Sequence, residues 1–335
     1  QIDNFRSGFP YLILDSPATI KHGIIKCDEH ELQSYIEVFE NRGRKKELLK
    51  FVPASGAASR MFKELFECYY ELKNSDEKPQ NDFLEKYTGA KQFFERISDF
   101  AFSIELITKF ESNGKEFASP VNPSGYELLL ELLLEEKGLN YGNLPKGLLL
   151  FHMYNDRPRT SFEEHLVEGS HHCKDNKNLV KIHFTVSPEH IELFRKKFTD
   201  KKNLLEKKLS SQFQVEFSIQ KPSTDTIAVD MDNQPFREND GSILFRPGGH
   251  GALLENLNQL DADIIFMKNI DNIVPDRLRP PTVSYKKCLA GILLEYQERI
   301  FSYLRFLDNT NEQGKEKIEE MEKFLENRLC VRPPA

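Results

Sequence analysis

Three charged side chains stand where they could handle phosphate: Arg60, Lys146 and Asp271. Arg60 ends a run of tiny residues, Ala54-Ser55-Gly56-Ala57-Ala58-Ser59. Where such a run follows a strand, small side chains let backbone N–H groups converge on an anion, and a following helix adds its positive end. A guanidinium beside it can grip phosphate oxygens in pairs. The run is neither a Walker A loop nor G-x-G-x-x-G, since spacing and glycine count both differ. Taken alone, it fits equally a tight strand-to-helix turn with Arg60 in solvent. Lys146 stands in Pro145-Lys146-Gly147 ahead of an apolar run, where a lysine is commonly a solvated cap. Asp271 closes the apolar stretch "IIFMKNID". A carboxylate there can hold Mg²⁺ together with phosphate oxygens and water, or simply cap a turn.

Other stretches invite chemistry less directly. Gly248, Gly249 and Gly251 surround His250 ahead of a helical pattern. Such a loop lets backbone approach a flat ligand, or serves as a glycine-rich turn. His165, Glu168 and His172 share one helical face, but the spacing is not HExxH and no distant ligand completes a metal set. The five cysteines are odd in number and lack CxxC spacing, as expected for reduced thiols in a cytoplasmic protein.

These residues need elements to position them. "LLKFV" (48–52), "NLVKIHFTVS", "FQVEFSIQ" and "ADIIFM" read as strands, and "GLLLF" (147–151) as a further short apolar run. Residues 60–137 carry apolar side chains at helical spacing. Thr160 and Glu163 form a capping box pattern, and Ser187-Pro188 an N-cap followed by a first-turn proline. The expected layout is an N-terminal helical extension (1–47), an α/β core (48–275) with a helical insertion (62–140), and C-terminal helices (276–335). Strands alternating with helices predict a mainly parallel, mixed sheet with helices on both faces. In such sheets ligands sit at the carboxyl ends of strands. "PASGAASR", "RPGGHGA" and "NIDN" all fall at such ends.

Composition narrows the function. Apolar residues make up 39% and charged ones 30%, so the chain has the material for a globular core. The net charge of −7 argues against wrapping nucleic acid. A small anionic substrate stays open, because a few local cations override a weak global field. No apolar run nears the roughly 20 residues that span a bilayer, and no secretory pattern opens the sequence; neither a membrane nor a nucleic-acid partner is expected.

Together these pieces resemble the nucleotide-diphospho-sugar transferase superfamily, within it the UDP-sugar pyrophosphorylases, and most closely an uncharacterised bacterial family of unknown function that looks like a divergent branch of them. "PASGAASRM" lies over the superfamily's glycine-rich loop, with Ser55 and Ala58 where it has glycine. "PKG" matches its Pro-Lys-Gly, "IHFTVSPEHIELFRKKF" looks like its Met-Thr-Ser strand end, "FSIQKPS" like its Phe-x-Gln, "RPGGHGALLENL" like its Gly-Asn/His-Gly and "NIDN" like its Val-Asp-Asn, all in colinear order between about residues 48 and 274.

The resemblance implies a Rossmann-like nucleotide-diphospho-sugar transferase fold and the reaction of a nucleoside triphosphate, UTP favoured, with a sugar 1-phosphate, dependent on Mg²⁺. It implies catalytic roles for Arg60, Lys146 and Asp271, with Asp271 on the metal. It also implies a nucleotide site made by Ser55, Gly56, Ala57, Ala58, Ser59, Gln220, Gly248, Gly249, His250 and Gly251, in which Gln220 reads the base. Two other readings stand beside it: a nucleotide or nucleotide-sugar binding protein without turnover, and a metal-dependent phosphate-ester hydrolase. The chain has no clear counterpart of a second basic residue that the relatives carry near the substrate phosphate.

Overall fold

A computed structural model describes residues 1–20, 22–56, 58–75, 82–119, 121–309 and 314–331. Four strands form the central sheet: β1 (Leu48–Pro53), β2 (Leu179–Thr185), β3 (Gln212–Ser218) and β4 (Ile264–Met267). All pair in parallel, in the order β4-β1-β2-β3. The antiparallel component expected of a mixed sheet is confined to separate small pairs. Leu150–His152 joins Arg159–Thr160, and Thr226–Ile227 joins Phe245–Arg246.

One face of the sheet carries the long helices. The helices α1 (Glu29–Arg42), α6 (Ser161–His172), α7 (Ile191–Leu209) and α9 (Arg279–Asp308) pack there. Val52, Val180, Ile182, Phe184 and Phe213 meet Phe162, Leu166 and Phe194, while Leu48, Ile264 and Phe266 meet Phe39, Ala290 and Leu294. A capping box of Thr160 and Glu163 starts α6, as its sequence requires. A Cβ at Gly169 would come within 3.0 Å of Ile182 Cδ1, so the missing side chain lets α6 lie close on β2.

The opposite face departs from the expected double cover. Among the described residues this face is covered mainly by α8 (Leu254–Asn258) and the turns on either side of it, which set Leu253, Leu257 and Leu260 against Leu49 and Phe51. The physical reason lies in the connections. The chain steps from β1 to β2 to β3 in one direction and then returns to the far edge as β4. Right-handed crossovers put the first two connections on one face and the returning one on the other. That return spends residues 222–246 on short turns and hairpin strands, which leaves five residues of α-helix to cover the sheet.

Between β1 and α6 the chain builds a helical insertion: α2 (Lys63–Asn74), α3 (Thr88–Glu95), α4 (Ser103–Ser112) and α5 (Tyr126–Leu134). They share a core of their own that includes Tyr69, Phe93, Phe94, Leu106, Leu129 and Leu133. After α9, α10 (Lys315–Arg328) packs Met321 and Phe324 against Tyr303. Among the described residues no helix is long and apolar enough to cross a membrane.

Candidate functional site

β1 is the strand where the winding reverses: its successor β2 lies on one side and the returning β4 on the other. In open parallel sheets ligands sit outside the carboxyl ends of the strands, and here several loops converge at those ends. A cavity of about 430 Å³ lies there. It is lined by Pro53 at the end of β1, Ser55, Gly56 and Arg60 after it, Lys146 from the turn before Leu150, Gln220 after β3, Gly248, Gly249, His250 and Leu253 ahead of α8, and Asn269, Ile270 and Asp271 after β4. Most of the sequence-predicted site residues therefore meet in one place.

Some do not. Ala58 is buried in the core of the insertion, where it packs with Phe62 and its neighbours. Ser59 begins the following 3-10 turn and is exposed, outside the cavity lining. Of the expected cradle of amides over 55–59, Ser55 and Gly56 line the cavity and Ala58 and Ser59 do not, because the chain turns into the insertion at Ala58. Ala57 lies outside the described residues. Gly251 lines a neighbouring cavity instead.

Backbone bonds tie the walls together. Lys268 N and Ile270 N donate to Phe51 O and Pro53 O, each at 3.1 Å, and Ala54 N donates to Thr185 O at 2.8 Å. Lys146 N donates to Gly56 O at 3.2 Å. A Cβ at Gly147 would sit 2.6 Å from Phe194 Cε1 and 3.3 Å from Ile270 Cγ1, so only glycine lets this turn press against α7 and the β4 loop. That fixes the lysine before it. Ser187, expected as an N-cap, makes no capping bond and donates its hydroxyl to Ser55 O at 3.3 Å instead.

The charges are unevenly matched. Lys146 Nζ donates to Asp271 Oδ2 at 2.6 Å, both side chains half-buried. The Lys146 ammonium holds the Asp271 carboxyl below the ordinary carboxylate range, against the opposing pull of burial, and His250 adds a smaller push in the same direction. Arg60 is exposed and has no ion-pair partner among the described residues. Asp271 is the only acid in the lining, so the cavity carries a surplus of positive charge and suits an anion. Gln220 Nε2 donates to Asp225 Oδ1 at 3.3 Å, which leaves the amide oxygen and the second N–H for a ligand.

The support behind this site differs from what the sequence pattern suggests. His165, Glu168 and His172 do not form a metal set, and no cluster of three or more His, Cys, Asp or Glu fit for a metal occurs among the described residues. His165 Nε2 donates to Ile270 O at 3.1 Å, and Ser161 Oγ donates to the same carbonyl. Burial and Lys50 keep this imidazole neutral, with its pKa well below the ordinary histidine value. α6 thereby clamps the residue next to Asp271. Glu168 accepts from Lys50 Nζ at 3.0 Å and from Lys268 Nζ at 2.5 Å. Asn256, buried on α8, donates to Ser218 Oγ and Ile219 O, both at 2.9 Å, and so anchors the end of β3 beside Gln220. Lys50, inside an apolar strand, was the one visible signal: a lysine there requires a buried acid.

A family model described as a domain of unknown function (DUF4301) matches residues 1–335. The chain belongs to that family. No curated protein and no solved structure matches it. The expectation of a family of unknown function is thus met, and the likeness to the nucleotide-diphospho-sugar transferases belongs to the proposal that follows.

Proposed function

We propose that the protein is a nucleotidyltransferase that joins a nucleoside triphosphate, UTP favoured, to a sugar 1-phosphate and releases pyrophosphate. One observation carries this reading. Arg60, Lys146, Gln220, the Gly248–His250 loop and Asp271, distant in sequence, line a single cavity at the point where the winding of a parallel sheet reverses. The same switch point supports reading the sheet as a reduced form of the Rossmann-like nucleotide-diphospho-sugar transferase fold.

In the proposed reaction a phosphate oxygen of the sugar phosphate attacks the α-phosphorus in line. A new P–O bond forms there, and the bond from the α-phosphorus to the bridging oxygen breaks to release pyrophosphate. Positioning and charge stabilisation dominate such chemistry. Arg60 would hold the outer phosphates, and Lys146 the charge that grows at the α-phosphate. Asp271 as a lone carboxylate fits a magnesium ion delivered on the triphosphate, whose oxygens and waters complete its shell. Such an ion would supply further charge neutralisation. The Lys146–Asp271 ion pair specifically favours a second reading, binding without turnover, because each group neutralises the other. A screen of pyrophosphate release over nucleotides and sugar phosphates with Mg²⁺ tests the proposal. Release that needs both substrates supports it. UTP binding by calorimetry with no release from any pair supports binding alone, and inorganic phosphate from a single substrate a hydrolase.

Gln220 gives a sharper test of the base. Uracil presents an N3–H donor flanked by carbonyl acceptors, which match the free oxygen and N–H of the Gln220 amide. UTP is expected to outcompete CTP, ATP and GTP, and Gln220→Ala to shrink that margin by roughly 1–3 kcal/mol. A purine nucleotide that binds tightest, or a UTP preference untouched by the substitution, removes the assignment.

A further inference from the structure

A second cavity, of about 560 Å³, adjoins the first and shares Pro53, His250, Leu253 and Asn269 with it. Its apolar part is made by Phe51, Leu257 and Met267, on the thinly covered face of the sheet. Lys268, Asn272, Thr282 and Lys286 supply polar groups, and its lining contains no carboxylate.

The charges behind this wall do not balance. Lys50 and Lys268 share one acid, Glu168. Lys286, from the first half of α9, feels the field of the same Glu168 and of Lys268. Its ammonium donates to Met267 O at 3.4 Å and has no carboxylate within 4 Å among the described residues. Burial pushes its pKa down. Three lysines against one glutamate leave a surplus of two positive charges in and behind this wall; Lys268 and Lys286 line the cavity, while Lys50 lies buried on the other face of the sheet. A carboxylate ligand offsets half of that surplus. A phosphate monoester, at about −1.5 to −2 near neutral pH, offsets nearly all of it.

We propose that this cavity binds a phosphate monoester whose body is partly apolar, with the phosphate at Lys286 and the body over Phe51, Leu257 and Met267. The site stands on its own charges. Its further role, as the seat of the acceptor phosphate beside the triphosphate cavity, rests on the nucleotidyltransferase reading. Gln220, the Arg60–Lys146 pair and Lys286 then follow one another along the carboxyl edge of the sheet, from the end of β3 to β4.

Phenyl phosphate, benzoate and pyrophosphate, titrated by calorimetry into the whole protein without nucleotide, test this. Phenyl phosphate is expected to bind more tightly than benzoate. Lys286→Met, nearly isosteric, is expected to weaken it about tenfold or more through loss of a charge-assisted bond, and Lys286→Arg to retain it. Arg60→Ala is expected to leave phenyl phosphate within about twofold and to weaken pyrophosphate instead, since Arg60 lines only the first cavity. No binding of phenyl phosphate, a tighter benzoate, an unchanged affinity in Lys286→Met, or a loss in Arg60→Ala overturns the site. Phenyl phosphate that depends on Lys286 while pyrophosphate ignores Arg60 sinks the triphosphate reading and leaves this one standing.

Discussion

Glu168→Ala is expected to destabilise the protein by about 3–5 kcal/mol at pH 7, the range for removing one partner of a buried ion pair. Lys50 is fully buried on β1, and among the described residues its ammonium reaches only Glu168 and the carbonyl of His165. Burial already pulls Lys50 down to about 8, past the opposing pull of Glu168. Without the glutamate nothing opposes burial, and Lys50 must shed its proton at lower pH still. The sign of the pH dependence follows. Where the folded state binds fewer protons than the unfolded one, stability rises with pH. In the wild type that rise on Lys50 begins near pH 8, and in the variant it begins lower. The stability gap between the two therefore narrows as pH rises from 7 to 9, by at most about 1.4 kcal/mol per pH unit. Urea unfolding at pH 7 and pH 9 measures it. A loss under about 1 kcal/mol, well short of the buried-pair range, or a gap that stays constant with pH, would show that Lys50 does not depend on Glu168.

The same cluster marks how far sequence patterns reach. Strand and helix positions were legible because the apolar period changes along the chain: Phe213, Val215 and Phe217 alternate as a half-buried strand must, and Thr160 and Glu163 announce α6. The cavity residues were legible only together: each alone fits a turn or a cap, but several small or polar stretches fell at the ends of apolar runs. The uneven cover of the sheet was not, since the apolar run of β1 looks the same whether one long helix or one short turn lies over it. The function of α6 was hidden for a different reason. His165, Glu168 and His172 share a face in sequence, but what they face depends on Lys50, Lys268 and Ile270, each about 100 residues or more away. Ala58 was ambiguous at the same level: a tiny residue suits a phosphate loop and a packed helix start equally, and only the insertion's core decides between them.

Arg60→Ala and Lys146→Ala are each expected to lower turnover by about 10²-fold or more, equivalent to roughly 3–4 kcal/mol of lost transition-state stabilisation. The two changes differ in what they leave behind. Arg60 is exposed and has no ion-pair partner among the described residues, so its loss takes nothing from the fold. Lys146→Ala leaves Asp271 with an unpaired carboxylate that still reaches water, since 35% of its side chain is exposed. Such half-exposed pairs contribute about 0–1 kcal/mol to stability, so thermal unfolding should barely move in either variant. Asp271→Asn removes the charge that holds Lys146 and keeps the side chain's shape. If Lys146 acts on the α-phosphate, that release leaves triphosphate binding without metal intact or stronger, while Mg²⁺-dependent turnover falls. If the Lys146–Asp271 pair is only a brace, all three variants keep whatever activity the wild type shows and differ only slightly in melting temperature. Turnover and melting, measured on the same preparations, therefore separate a site from a strut. Near-normal rates in Arg60→Ala or Lys146→Ala would remove the triphosphate from this cavity.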